Sequence, residues 1–205
     1  MIITKRILSF FIVVLFANVV LAQNWETRTL MKINPSDPSS KFLRGITNST
    51  YVISAAAPVA VLITGFAKDD PALKRKALVM IAGTVIQAGA TTILKDIVKR
   101  DRPAETHPTL IFPYEDKNGK SFPSGHTGFA FATATSLTLQ FPKWYVAAPA
   151  FAWAGAVGYS RMYLGVHYPG DIAAGAVVGA GSAFLAHWLN RKLFPEPKSV
   201  AVIGL

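Results

Sequence analysis

Lys95-Asp96-Ile97-Val98-Lys99-Arg100-Asp101-Arg102-Pro103 closes a long apolar run. Two further polar blocks, Pro123-Ser124-Gly125-His126 and Ser160-Arg161 followed by Val166-His167-Tyr168-Pro169-Gly170-Asp171, stand at the ends of other apolar runs. Three cations (Lys95, Arg102, Arg161), two histidines, a serine and an aspartate therefore recur at element ends rather than along one solvated face. Each block alone has an ordinary structural explanation: cations snorkelling from a helix end, a serine helix cap, an aspartate cap after the Pro169-Gly170 turn. Together, the order K-x6-R-P, P-S-G-H, S-R-x5-H-x3-D is a combination that separate structural needs do not generate. It points to a phosphate site.

Outward from these blocks the chain reads as an all-α membrane protein. Hydrophobic residues make up 51% of its 205 residues and charged residues 16%, where a soluble domain carries about 25% charged; mean hydropathy is +0.35. Five nearly charge-free runs, Tyr51–Ala67, Ala77–Leu94, Thr127–Phe141, Trp144–Ser160 and Ile172–Asn190, are expected to be helices. At 1.5 Å per residue, runs of about 17 to 19 residues span about 26 to 28 Å, near a hydrocarbon core of about 30 Å. The shorter third run gains a turn by including His126. Gly83, Gly89, Gly155, Gly158 and Gly175-x-x-x-Gly179 let helix backbones approach closely, and packing within one bundle is the simpler use of them.

Net charge is +10, but the cations flank apolar runs whose interiors hold most of the aromatics, unlike the basic stripe of a nucleic-acid binder. Lys68 to Lys76, Lys143, and Arg191-Lys192 mark joints that the positive-inside rule assigns to the cytoplasm. Residues 95–125 and 161–171 then face the other side together. The sequence has no cysteine, which excludes disulfides and thiolate metal sites. Lys5 and Arg6, an apolar run to Leu21 and the small Ala22 make residues 1–22 a signal peptide or a first membrane helix. Residues 23–50, with the turn-rich Asn34-Pro35-Ser36-Asp37-Pro38-Ser39-Ser40, form an extracytoplasmic segment; 51–194 form the membrane domain and 195–205 a cytoplasmic tail.

The three blocks resemble the signature motifs of the type 2 phosphatidic acid phosphatase superfamily, whose members share a helical core with vanadium-dependent haloperoxidases and bacterial class A acid phosphatases. The resemblance covers roughly residues 51–188. It implies a polytopic helical bundle of five or six spans with a haloperoxidase-like core, in a bacterial-type inner membrane with the site on the periplasmic face. It also implies a phosphohistidine intermediate.

The residues themselves support that chemistry. A phosphomonoester dianion resists anionic attack, so its oxygens must be neutralised and a neutral nucleophile placed in line with the leaving oxygen. The imidazole of His167 meets that need, with Asp171 fixing its tautomer and stabilising the imidazolium. His126, at a helix start after Pro-Ser-Gly, is placed to protonate the leaving oxygen. Ser124, the helix-start N–H groups and Gly125, which permits close backbone approach, can hold phosphate oxygens; Lys95, Arg102 and Arg161 add positive charge. No other cluster has the character of a metal site, so neither metal nor other cofactor is expected. His107 reads as a solvated loop residue, His187 as an interfacial one, and the loop 104–122 as the selector of headgroup. The expected partner is a phosphorylated lipid in the bilayer: a phosphatidate-type lipid, a polyprenyl diphosphate or lipid A. A soluble extracytoplasmic acid phosphatase and a non-enzymatic transporter or scaffold are the competing classes.

Overall fold

The computed structural model describes residues 25–115 and 119–195, so the segment 1–22 and nearly all of the tail 195–205 lie outside the described residues. Among the described residues every regular element is helical: α1 (25–33), α2 (Lys41–Ala67), α3 (Pro71–Val98), α4 (Pro103–Thr106), α5 (Gly125–Gln140), α6 (Trp144–Tyr163) and α7 (Pro169–Leu193). The five apolar runs fall inside α2, α3, α5, α6 and α7, except that Phe141 lies just past the end of α5.

Local chemistry sets the ends. Asp70 Oδ1 accepts from Ala72 N and Leu73 N at 2.8 and 3.1 Å, and Pro71 takes the first position of α3, where a missing N–H costs nothing. Ser40 caps α2, its Oγ accepting from Leu43 N at 3.4 Å. The helix thus begins at Lys41, ten residues before the expected start at Tyr51, and the difference has a physical cause. The first turns of α2 carry Lys41, Arg44, Thr47 and Asn48 toward a polar cleft, so hydropathy registers only the later, lipid-like part of the helix. Residues 34–40 remain the turn-rich connection.

α5 is the inner helix, packed against α7, α6, α3 and α2. It is made for that place: Gly128, Ala130, Ala132, Thr133, Ala134, Thr135 and Ser136 are all buried. Small residues there bring α5 and α7 to backbone contact. A Cβ on Gly175 would lie 2.5 Å from the Ser124 carbonyl oxygen, and one on Gly179 would strike the Gly128 carbonyl. The Gly175-x-x-x-Gly179 pattern thus serves packing within the chain.

α2, α3 and α7 are long and apolar enough to cross a membrane. Expectation ran to five or six such spans; at 16 residues α5 rises about 24 Å, short of the hydrocarbon thickness. Only 22%, 33% and 28% of the residues in the three apolar windows are buried within the protein. Val59, Ile63, Phe66, Leu78, Val85, Ile93, Val177 and Phe184 all point outward. A water-soluble bundle of this size hides such side chains, whereas hydrocarbon accepts them.

Candidate active site

The turn between α6 and α7 builds the centre of the site. Asp171 is the third residue of α7, and its Oδ2 accepts from Tyr168 N at 2.9 Å, a reciprocal cap that fixes the carboxylate at the helix start. The same oxygen accepts from the Ser121 hydroxyl and lies 3.5 Å from His167 Nδ1, with Ser121 Oγ 3.4 Å from that nitrogen. Oδ1 accepts from Arg100 Nη1 at 2.9 Å. Arg100 also pairs with Glu26 of α1, whose Oε1 receives Gly170 N at 2.7 Å. A carboxylate with no exposed surface is thereby given the partners its burial requires.

His167 is 2% exposed. Burial pushes its imidazole down to about 4, a pull that the hydrogen bond to Asp171 opposes and the nearby Arg161 reinforces. The ring is neutral at pH 7. With the Nδ1 proton turned to Asp171, Nε2 is the nitrogen that keeps a lone pair.

The other sequence-selected residues converge on the same end of the bundle. Arg102 Nη1 donates to Val166 O at 2.8 Å and Nε to Gly119 O at 3.1 Å, tying the first block to the third. Ser124 N donates to Asp171 O at 3.0 Å, tying the second to the third. The Ser124 side chain is fully buried, caps α5, and accepts from Thr127 Oγ1 at 2.9 Å. Lys95, half-buried near the end of α3, donates to Lys120 O. Arg161 is 4% exposed; one Nη donates to Thr47 Oγ1 at 2.9 Å and its Nε is buried without a hydrogen-bond partner. A Cβ on Gly125 would meet only Thr91 Cγ2, at 3.8 Å, so protein packing does not demand glycine there. The space before it is open.

His126 stands in the first turn of α5, its ring 4.7 Å from that of Tyr51 and its Nδ1 3.5 Å from the Tyr51 hydroxyl. His126 and Arg161 line a cleft of about 350 Å³ whose other walls are the first turns of α2 and residues 114–115. Lys95, Arg102 and His167 lie beside that cleft rather than in its lining. His107 departs from the expected solvated residue: it is half-buried, with Nε2 3.2 Å from Thr27 Oγ1 of α1. His187, at the opposite end, has Nδ1 3.4 Å from Gln140 Nε2.

Sequence reasoning passed over Arg100, Glu26 and Ser121. Arg100 had a signal, as a further cation inside the Lys95–Arg102 block, but nothing nearby in the sequence ties it to Asp171. Glu26 had none, since its partners are 74 and 144 positions away.

Comparison with known proteins gives the family and the fold. A lipid A 4'-phosphatase of Bacteroides thetaiotaomicron is 32% identical over 123 residues, 57% of this chain and 55% of that protein. The chain thus spans about half the length of that curated relative. Among solved structures, Aquifex aeolicus LpxE superposes with a TM-score of 0.63 at 26% identity, covering 79% of this chain and 92% of that one. A transmembrane PAP2-type phosphatidylglycerolphosphate phosphatase from Bacillus subtilis shares the fold, with a TM-score of 0.67 at 23% identity over 88% and 90% of the two chains. Residues 76–195 match the PAP2 superfamily, and they hold every polar block from which the site is built: the chain is a member of the PAP2 superfamily, with that superfamily's helical membrane fold.

Proposed function

We propose that this chain is a membrane lipid phosphatase that releases phosphate from a lipid headgroup through a covalent phosphohistidine. The observation that carries the reading is the pairing of a buried, neutral His167 held by Asp171 with a guanidinium, Arg161, that faces a cleft with a buried donor unused. His167 Nε2 attacks phosphorus as the bond to the lipid oxygen breaks, and that oxygen takes a proton from His126. Water then attacks the phosphoimidazole with His126 as base, freeing phosphate and restoring the imidazole. Asp171, held by Ser121 and Arg100, stabilises the imidazolium as it forms. Lys95, Arg102, Arg161, Ser124 and the N–H groups at the start of α5, which the open space at Gly125 leaves accessible, bind the phosphoryl oxygens.

The outward apolar surface of α2, α3 and α7 favours this reading over a soluble acid phosphatase. A site at the ends of such helices lies at headgroup depth, where the bilayer concentrates and orients its substrate. Charge at the joints argues for five crossings and an extracytoplasmic site, since Lys68, Lys143 and Arg191 cluster at the other end.

Rapid acid-free quenching of a reaction with phosphate-labelled lipid in mixed micelles tests the mechanism. Label is expected on the peptide containing His167, in a bond stable to base and cleaved by acid. Turnover without label on that peptide would remove His167 from the role. Release no faster from lipid phosphates than from glycerol phosphate would remove the lipid from the substrate.

A further inference from the structure

The cleft lined by His126 and Arg161 is larger than one phosphoryl group needs. Its volume of about 350 Å³ compares with about 30 Å³ for a water molecule in the liquid. Its far wall is the start of α2, where Lys41 and Arg44 face Tyr114 and Glu115. Arg44 is held in place there. Its guanidinium carbon lies 4.5 Å from the centre of the Tyr114 ring, one Nη donates to the Tyr114 hydroxyl, and the other donates to Ser39 O at 3.2 Å.

What this arrangement leaves over is a donor. Arg44 Nε is buried without a hydrogen-bond partner, and among the described residues only Arg161 has a guanidinium nitrogen in the same condition. Both line this cleft. They are also neighbours through α2, because the hydroxyl that holds Arg161 belongs to Thr47, three residues after Arg44 and on the same helix face. A charged donor withdrawn from water favours an anionic acceptor. In the proposed function Arg161 has one in the phosphate to be cleaved, and Arg44 is not among the groups assigned to that phosphate. With Lys41 the lining carries three cations against one carboxylate, Glu115.

We propose that Arg44 and Lys41 form a second anion subsite, so that the substrate class is a lipid whose headgroup carries a second phosphate besides the one removed. This rests on the phosphatase reading of His167 and Arg161. The second phosphate is supplied either by a lipid diphosphate or by a sugar headgroup phosphorylated twice, and the subsite recognises the same chemistry in both.

Binding to the His167→Ala protein in detergent micelles tests it apart from the chemistry, using two matched pairs of ligands. One is farnesyl diphosphate against farnesyl monophosphate; the other is an acylated glucosamine disaccharide with two phosphates against the same lipid with one. In at least one pair, the doubly charged ligand is expected to bind at least about tenfold tighter than its partner. Adding Arg44→Gln should reduce that ratio below about threefold, and Lys41→Gln, at an exposed position, serves if the first variant does not fold. Preference within the farnesyl pair puts the second phosphate next to the first, and preference within the sugar pair puts it across the headgroup. Equal affinity within both pairs, or a ratio that survives the substitutions, overturns the subsite. Failure of the wild-type chain to release phosphate from any of the four overturns the phosphatase reading instead, and the binding ratios still decide the subsite.

Discussion

The two ends of the helical bundle are both basic, both hold a cavity and both contain histidine, yet they are built in opposite ways. At the His167 end the charges are withdrawn from water and matched: Asp171 to Arg100, Arg100 to Glu26, and Glu26 to the backbone of Gly170. At the other end, around a cavity of about 730 Å³, Arg191 is exposed and Lys76 lies over the Phe141 ring. Arg75 there donates to the side chain of Asn190 and to carbonyls that end α7. Cations at the second end anchor helix ends and meet the membrane surface, work that needs neither fixed geometry nor a carboxylate. Charge count therefore says little about which end is chemical, whereas burial with a committed partner says a great deal.

The largest effect that would sharpen this contrast is catalytic. His167→Ala should lower kcat/KM by about 10⁴-fold, as losing a nucleophile does elsewhere, while Lys143→Gln at the other end changes it by less than about twofold. A comparable loss from both would erase the distinction.

Next in size is stability. Arg100→Gln leaves the buried carboxylate of Asp171 and the nearly buried one of Glu26 without their shared cation, a change expected to cost about 3 to 5 kcal/mol. Arg75→Gln removes hydrogen bonds at a wetter site and should cost about 1 kcal/mol. Thermal unfolding of both variants in one detergent measures the difference, and equal shifts in Tm would mean that the ion network contributes nothing special.

A smaller effect concerns pH. His167 is held near 4, below the ordinary histidine value of 6.5, so it stays neutral until the pH falls through that lower value. After correction for the substrate's own ionisation, kcat/KM should lose no more than about twofold between pH 7 and pH 5, where an unshifted imidazole nucleophile would lose about 25-fold. The stability contribution has the same sign: between 6.5 and about 4 the unfolded chain takes up the proton that the folded ring refuses, so stability falls as pH falls through that window. An acid limb at 6.5 would sink the burial argument.

Smallest in its effect on the protein is a label. With no native cysteine to interfere, Thr109→Cys should react with an impermeant thiol reagent in intact cells. Lys68→Cys and Lys143→Cys should react only after permeabilisation. The reverse pattern would exchange the two ends between compartments.

Much of this architecture is legible in the sequence, and the exceptions have physical reasons. Helices that face hydrocarbon on one side announce themselves as uncharged runs, so α3, α6 and α7 were located to within a few residues except where polar turns extend them. The beginning of α2 escaped because its side chains turn toward a cleft. Among the described residues three helices, not five, have the length and hydropathy of spans. The inner helix α5 is short and built of alanine, glycine and hydroxyl residues that suit protein neighbours, and α6 carries Trp144, Tyr145, Pro149, Tyr159 and Arg161 among its 20 residues. In the site, eight expected residues come together at one end because each stands at a helix end, and helix ends are marked by proline, glycine and capping residues. Arg100, Glu26 and Ser121 stayed hidden because they act on Asp171 from remote positions, and no local periodicity records a contact of that kind.

The crossing of α5 and α7 divides what can vary in this molecule from what cannot. Where Gly175 meets the Ser124 carbonyl and Gly179 meets that of Gly128, backbone lies on backbone, and no exchange of side chains can widen or narrow the seam. The groups that cut the bond hang from the two helix starts at this seam, while the opposite wall, residues 41–48 and 114–115, is made of side chains on a separate helix and a loop. Diversification has one open route: transplanting that wall between relatives should transfer the choice of headgroup and leave the cutting machinery undisturbed.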